Sequence, residues 1–91
     1  MENKFYVYAH KREDNGDVFY IGKGTGRRAW SSNGRSEKWK SVADNFGFYV
    51  EIIHDNLTQS EAFEIEVSEI CKAKENFQLT NIAPGGAGGT S

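Results

Sequence analysis

"FYVYAHKREDNGDVFYIGKGTGRR", residues Phe5 to Arg28, decides how this chain folds. Phe5, Val7 and Ala9 alternate with Tyr6, Tyr8 and His10, the period-two pattern of a strand whose aromatics suit a sheet. A polar run follows in which Asn15-Gly16 signals a tight turn, so Val18 to Gly22 reads as the returning strand of an antiparallel hairpin. Gly22, Gly24 and Gly26 then break that strand and lead into a short helix over "RRAWSS".

Working outward, Ser36 is placed to cap a second helix over "SEKWKSVADNF". Its Trp39, Val42, Ala43 and Phe46 recur at core-facing intervals, and Gly47 closes it. "FYVEII" predicts a third strand and "HDNLT" a turn. Thr58 then caps a last helix through Lys74, with Glu61 completing a capping box. The reading is an α+β domain. It has a small, mainly antiparallel three-stranded sheet and about three helices, in the order β-β-α-α-β-α over residues 1–84, with a glycine-rich tail over 85–91.

The 91 residues bound one modest core, and two Trp, six Phe and four Tyr supply its aromatic area. The single cysteine, Cys71, forbids an internal disulfide and reads as a small buried residue in a reducing compartment. No secretory apolar region or membrane-length run is present, so a soluble cytoplasmic domain is expected.

The net charge of −2 hides an asymmetry. Lys23, Arg27, Arg28, Arg35, Lys38 and Lys40 face only Glu37 within residues 23–40, a local balance of +5 that leaves −7 for the remainder. Such a directional basic surface suits a polyanion; the plainer alternative is a solvated helical face.

Three glycine motifs compete over Gly22–Arg28. A P-loop needs Lys-Ser/Thr opening a helix, and Arg27-Arg28 stand there instead. Gly24-Thr25-Gly26-Arg27-Arg28-Ala29 spells the dinucleotide fingerprint, yet that motif needs a parallel β-α-β unit and the Asn-Gly turn predicts an antiparallel one. The third reading has the glycines admitting a phosphate close to the backbone, with the arginines supplying charge-assisted hydrogen bonds.

Tyr6, Tyr8 and His10 share one strand face, and Tyr20 is placed to join them beside this cationic loop. On the last helix, Phe63, Val67 and Ile70 form an apolar stripe with Glu66 inside it, while Glu61, Glu64 and Glu69 point outward. A carboxylate facing a core needs a cation or a metal ion, so Glu66 is expected to meet the basic segment or a divalent ion.

With these elements in order, the chain resembles the GIY-YIG nuclease superfamily, particularly its small stand-alone or phage-type members, from about Phe5 to Gly86. The YIG element is Tyr20-Ile21-Gly22. The helix arginine is matched by Arg28 with Arg27 beside it, the acidic residue by Glu66, and the late asparagine by Asn81. The GIY triplet is replaced by Lys4-Phe5-Tyr6 or Tyr6-Val7-Tyr8. Spacing favours Tyr8, and Tyr6 lies on the same face. The loop from Gly22 to the arginine is shorter than in many members, and Ser32 stands where an aromatic or histidine is common.

The resemblance implies a metal-dependent endonuclease that hydrolyses DNA phosphodiester bonds with low or structure-guided specificity. Glu66 would hold one Mg²⁺ or Mn²⁺, and Arg28 would neutralise charge on the phosphate. Tyr8, or Tyr6, would orient or deprotonate water, its ordinary pKa of about 10 lowered by Lys23 or the metal, and Tyr20 would complete the wall. Lys23, Arg27, Arg35, Lys38 and Lys40 would contact nucleic acid, and Asn81 would position the phosphate or brace the site. His10 would line the cleft, and His54 would end a strand. Trp30 and Trp39 lie where aromatics stack unpaired bases, although Trp39 also reads as core. DNA, duplex or branched, is the expected partner, with RNA left open and a homodimer or targeting partner as companion. The rival readings are a catalytically silent nucleic-acid-binding module and a detached catalytic module that needs a partner.

Overall fold

The computed structural model of the protein describes residues 3–81. Strands β1 (Phe5–Arg12), β2 (Val18–Gly24) and β3 (Phe48–Leu57) form one antiparallel sheet in the order β2-β1-β3. Helix α1 (Glu37–Phe46) and helix α2 (Gln59–Lys74) complete an α+β fold. The predicted helix after β2 is reduced to a 3-10 turn at Arg28–Trp30, so among the described residues there are two α-helices and the order is β-β-turn-α-β-α. The predicted domain boundary at 84/85 and the glycine-rich tail lie outside the described residues.

The hairpin closes where Asn15-Gly16 predicts. Gly16 takes φ +78°, its N–H donates to the Arg12 carbonyl at 2.8 Å, and the Arg12 N–H donates to the Asp17 carbonyl at 2.9 Å. In register, Tyr6 pairs with Gly24, Tyr8 with Gly22 and His10 with Tyr20. A bulge then follows, before Lys11 pairs with Val18.

Alternation along β1 sends its side chains to two layers. Val7, Ala9 and Ile21 pack with Ala62 and Ile70 of α2 to make the aliphatic core. On the other face, His10 meets the rings of Phe19, Trp39 and Phe48, so α1 and the 3-10 turn cover an aromatic layer.

Both helices start where the sequence places their caps. The Ser36 hydroxyl accepts from the Trp39 N–H at 3.2 Å, and Thr58 and Glu61 form a full capping box. Four local expectations are corrected. "HDNLT" is no turn, because β3 continues to Leu57 against Phe5. The buried stripe of α2 is Ala62, Glu66 and Ile70, while Phe63 is exposed. Phe46 also reaches solvent, where the Arg12 guanidinium stacks over it at 3.6 Å. Cys71 is exposed, one position beyond the buried Ile70. Among the described residues no helix is long and apolar enough to cross a membrane.

Candidate active site

The tyrosine face is built from β1, β2 and the loop that follows them. Tyr8 is 1 % exposed, and its hydroxyl accepts a hydrogen bond from Arg35 at 3.0 Å. Arg35 itself is only 7 % exposed, which corrects its expected place on the basic surface that would contact nucleic acid. Its other bonds run to the carbonyls of Ser31 (3.0 Å) and Arg28 (2.9 Å), and its guanidinium lies near the rings of Tyr8, Tyr20 and Trp39. All three hydrogen-bonding partners are neutral oxygens, an unusual setting for a buried cation.

The glycines accommodate the chain's own side chains. A Cβ on Gly22 would stand 2.7 Å from the Tyr8 hydroxyl and 2.9 Å from the Tyr20 ring. One on Gly24 would stand 2.9 Å from the Cβ and Cγ of Arg28. The expected close approach of backbone to phosphate is therefore filled at these two positions by Tyr8, Tyr20 and Arg28. Gly26 has a different reason, a positive φ of 56° in the loop. Arg28 sends its guanidinium to the Asn33 carbonyl at 2.8 Å, again a neutral acceptor.

The three phenols differ in what holds them. The Tyr6 hydroxyl donates to the Gly26 carbonyl at 2.8 Å and accepts from the Ala29 N–H at 3.0 Å, so it braces the loop. Tyr8 is held by Arg35. Among the described residues nothing hydrogen-bonds the Tyr20 hydroxyl, and Tyr20 is half-buried.

Burial, then the neighbouring Tyr20, push the Tyr8 phenol up from its ordinary range, and the hydrogen bond and charge of Arg35 only partly offset this. The expected lowering is thus reversed here, and Tyr8 is a neutral phenol at neutral pH. Lys23, expected to help lower it, pairs with Val7 and so alternates onto the α2 side. The cations that act on Tyr8 are Arg35 and Arg28.

His10 does more than line a cleft. The Trp39 indole N–H donates to His10 Nδ1 at 2.8 Å, which assigns the Nε2–H tautomer and makes Nε2 the donor to the Ala29 carbonyl at 2.6 Å. Burial holds this imidazole down at about 4, with the charges of Arg35 and Arg28 adding to the effect against the Ala29 bond. His10 and Trp39 therefore fix the 3-10 turn from below, a role no spacing in the sequence signals. His54 lies within β3 rather than at its end, 3.7 Å from a carboxylate oxygen of Glu69.

Glu66 belongs to the other layer. It is 5 % exposed, one helical turn from Ala62 and from Ile70, on the helix that packs against the Val7, Ala9 and Ile21 face. Since α2 follows Leu57, which pairs with Phe5, its first turns start at the Phe5–Gly24 end of the sheet. The structure thus gathers Tyr6, Tyr8, Tyr20, Arg28 and Arg35 on one face and sets Glu66 on a helix beneath the other.

Asn81 follows Thr80, which bonds the Phe19 carbonyl, along the edge of β2 away from β1. Its side-chain amide donates to the Ile21 carbonyl at 2.7 Å and its oxygen accepts from the Ile21 N–H at 3.2 Å, a bracing contact on the Tyr20-Ile21-Gly22 stretch. Arg27, Lys38 and Lys40 are exposed, and Lys38 borders a shallow pocket with Val42, Gln78 and Thr80, beyond the tyrosine cluster. Comparison of the chain with protein-family models, with curated proteins and with solved structures gave no match.

Proposed function

We propose that the chain is a divalent-metal-dependent endonuclease that hydrolyses DNA phosphodiester bonds with low or structure-guided sequence specificity. The observation that supports this reading is the Arg35 guanidinium set against Tyr8 and Tyr20, with the charge of Arg28 also acting on Tyr8, and the hydrogen bonds of both guanidinium groups running to neutral oxygens. Cations whose hydrogen bonds among the described residues reach only neutral oxygens, in a partly desolvated setting, favour an anionic ligand and the extra negative charge of a phosphoryl transition state.

In this reading a water oxygen forms a bond to phosphorus in line with the leaving oxygen, whose bond to phosphorus breaks. The leaving oxygen departs with the bonding pair and takes a proton from bulk water, to which the attacking water gives up its own. Arg28 meets the charge that grows on the non-bridging oxygens, and Arg35 adds its field from below while fixing Tyr8. The Tyr20 hydroxyl, which no described residue hydrogen-bonds, orients the attacking water. Tyr8, a neutral phenol, completes the wall as a hydrogen-bonding group and not as a base.

Among the described residues no group of three or more His, Cys, Asp or Glu side chains is arranged to hold a metal. A single carboxylate fits the needs of Mg²⁺ or Mn²⁺, which retain several waters and take substrate oxygens, and Glu66 would hold such an ion. Such an ion would supply Lewis-acid charge on the α2 side of the sheet, and the roles given above rest on the residues of the tyrosine face alone.

A second reading, a binding module without turnover, is favoured by one observation: Glu66 and the tyrosines belong to different layers. Nicking of supercoiled plasmid separates the two. Wild type with Mg²⁺ or Mn²⁺ is expected to nick, chelator to stop it, and Glu66→Ala to lower the rate at least about a hundredfold. A Glu66→Ala variant that nicks at the wild-type rate removes Glu66 from the mechanism, and a wild type that binds but never cuts establishes the second reading.

A further inference from the structure

The two tryptophans of the basic segment have opposite environments. Trp39 is sealed in the aromatic layer, whereas Trp30 is 57 % exposed. The turn that carries Trp30 is nonetheless firmly held. Tyr6 bonds both the Gly26 carbonyl and the Ala29 N–H, His10 bonds the Ala29 carbonyl, and Arg35 bonds the Arg28 carbonyl. The Trp30 N–H itself donates to the Arg27 carbonyl at 3.0 Å. Its indole meets the Tyr6 ring at 6.2 Å and 70°, a contact that steadies it while leaving most of it in water. A large aromatic held in place before any partner arrives loses little conformational freedom when it binds.

The surroundings specify the partner's charge. Arg27 and Arg28 precede Trp30 on the same turn, two cations on a chain of net −2, while Lys23 lies on the α2 side and Lys38 beyond the tyrosine cluster. A flat, rigid π-surface among cations matches a ligand that carries phosphates and open aromatic faces. Unpaired bases offer such faces. Bases within a duplex keep theirs stacked on one another, and an acidic peptide satisfies the charge but not the ring.

We infer that Trp30 is a stacking platform for an unpaired base of DNA, with Arg27 and Arg28 on the adjoining phosphates. The inference rests on the nucleic-acid reading above and narrows its substrate to DNA with a single-stranded element, such as a flap, a bulge or a branch.

Tryptophan emission tests it directly, because Trp39 is buried and Trp30 is not. With chelator present, the intact protein is titrated with a short oligothymidylate, a blunt DNA hairpin of similar charge, and an oligouridylate. The oligothymidylate is expected to quench the exposed emission. Trp30→Ala should weaken its binding about tenfold while leaving hairpin binding within about twofold, and Trp30→Phe should restore most of the loss. Near-UV circular dichroism of Trp39 confirms that each variant is folded.

Equal weakening on both DNAs, absence of quenching, or tighter binding of oligouridylate would overturn the inference. So would a wild-type dimer that Trp30→Ala makes monomeric, since Trp30 would then be a subunit contact. Cleavage is silent under chelator, so stacking without nicking keeps Trp30 and removes the nuclease. Nicking without stacking does the reverse.

Discussion

His10 is a buried imidazole with both ring nitrogens committed, and that predicts a specific pH dependence of folding. Protonation would place an N–H on Nδ1 facing the Trp39 indole N–H, turning a 2.8 Å hydrogen bond into a clash of donors inside a closed aromatic layer. Burial and the charges of Arg35 and Arg28 disfavour the cation further, and its pKa is held at about 4 against an ordinary 6.5. The unfolded chain therefore binds the proton more readily than the native protein does between those values. At about 1.4 kcal/mol per pH unit, the interval corresponds to about 3 kcal/mol. That contribution is complete above about pH 6.5 and is lost progressively as the pH falls through about 4. For a domain with roughly 5–14 kcal/mol in total, it is a large share.

Urea unfolding of wild type and His10→Gln from pH 7 to pH 4 isolates the effect, because titrating carboxylates shift both proteins alike. Gln keeps a donor and an acceptor but does not titrate. The wild type should lose about 3 kcal/mol more than the variant over that interval. Parallel stability profiles, or a His10 Cε1 resonance that titrates near pH 6.5 in the native protein, would refute the assigned tautomer and its two bonds.

Two further outcomes follow from the same face. Gly22→Ala forces a methyl to within 2.7 Å of the buried Tyr8 hydroxyl, and should cost about 1–3 kcal/mol in urea unfolding; an unchanged midpoint would show that the rings yield freely. Asn81→Ala removes both side-chain bonds to Ile21 and should cost about 1–2 kcal/mol, with faster exchange of the Ile21 amide; unaltered exchange there would mean that the edge of β2 holds without Asn81.

Much of the fold was legible because local chemistry agreed with the tertiary structure. The Asn-Gly turn, the alternation in β1, and the caps at Ser36 and Thr58 each act within a few residues, and each forms where the sequence places it. Errors arose where a tertiary neighbour decided the outcome. The Phe63 stripe is a good helical period, but the small Ala62 lets α2 lie close to the sheet, so the buried row is Ala62, Glu66 and Ile70. "HDNLT" carries turn-type residues, yet pairing with β1 draws β3 on to Leu57. Arg35 reads as one more cation in a basic run. Its fate depends on oxygens of Tyr8, Ser31 and Arg28, and no charge pattern announces those.

The glycine spacing links sequence to site more tightly than the charges do. Tyr6 and Tyr8 recur at a period of two on β1, Gly24 and Gly22 recur at the same period on β2, and the register sets each tyrosine opposite a glycine. A large ring and an absent side chain share each cross-strand position. At Gly22 the vacated space admits the Tyr8 hydroxyl, which is thereby placed to accept from Arg35. At Gly24 it admits the stem of Arg28, whose guanidinium then turns to Asn33. A side chain at either glycine would therefore displace a functional group before it met any ligand. The motif sets the positions of its own phenol and guanidinium, and any ligand on this face would meet the polar groups these glycines hold in place rather than the glycines themselves.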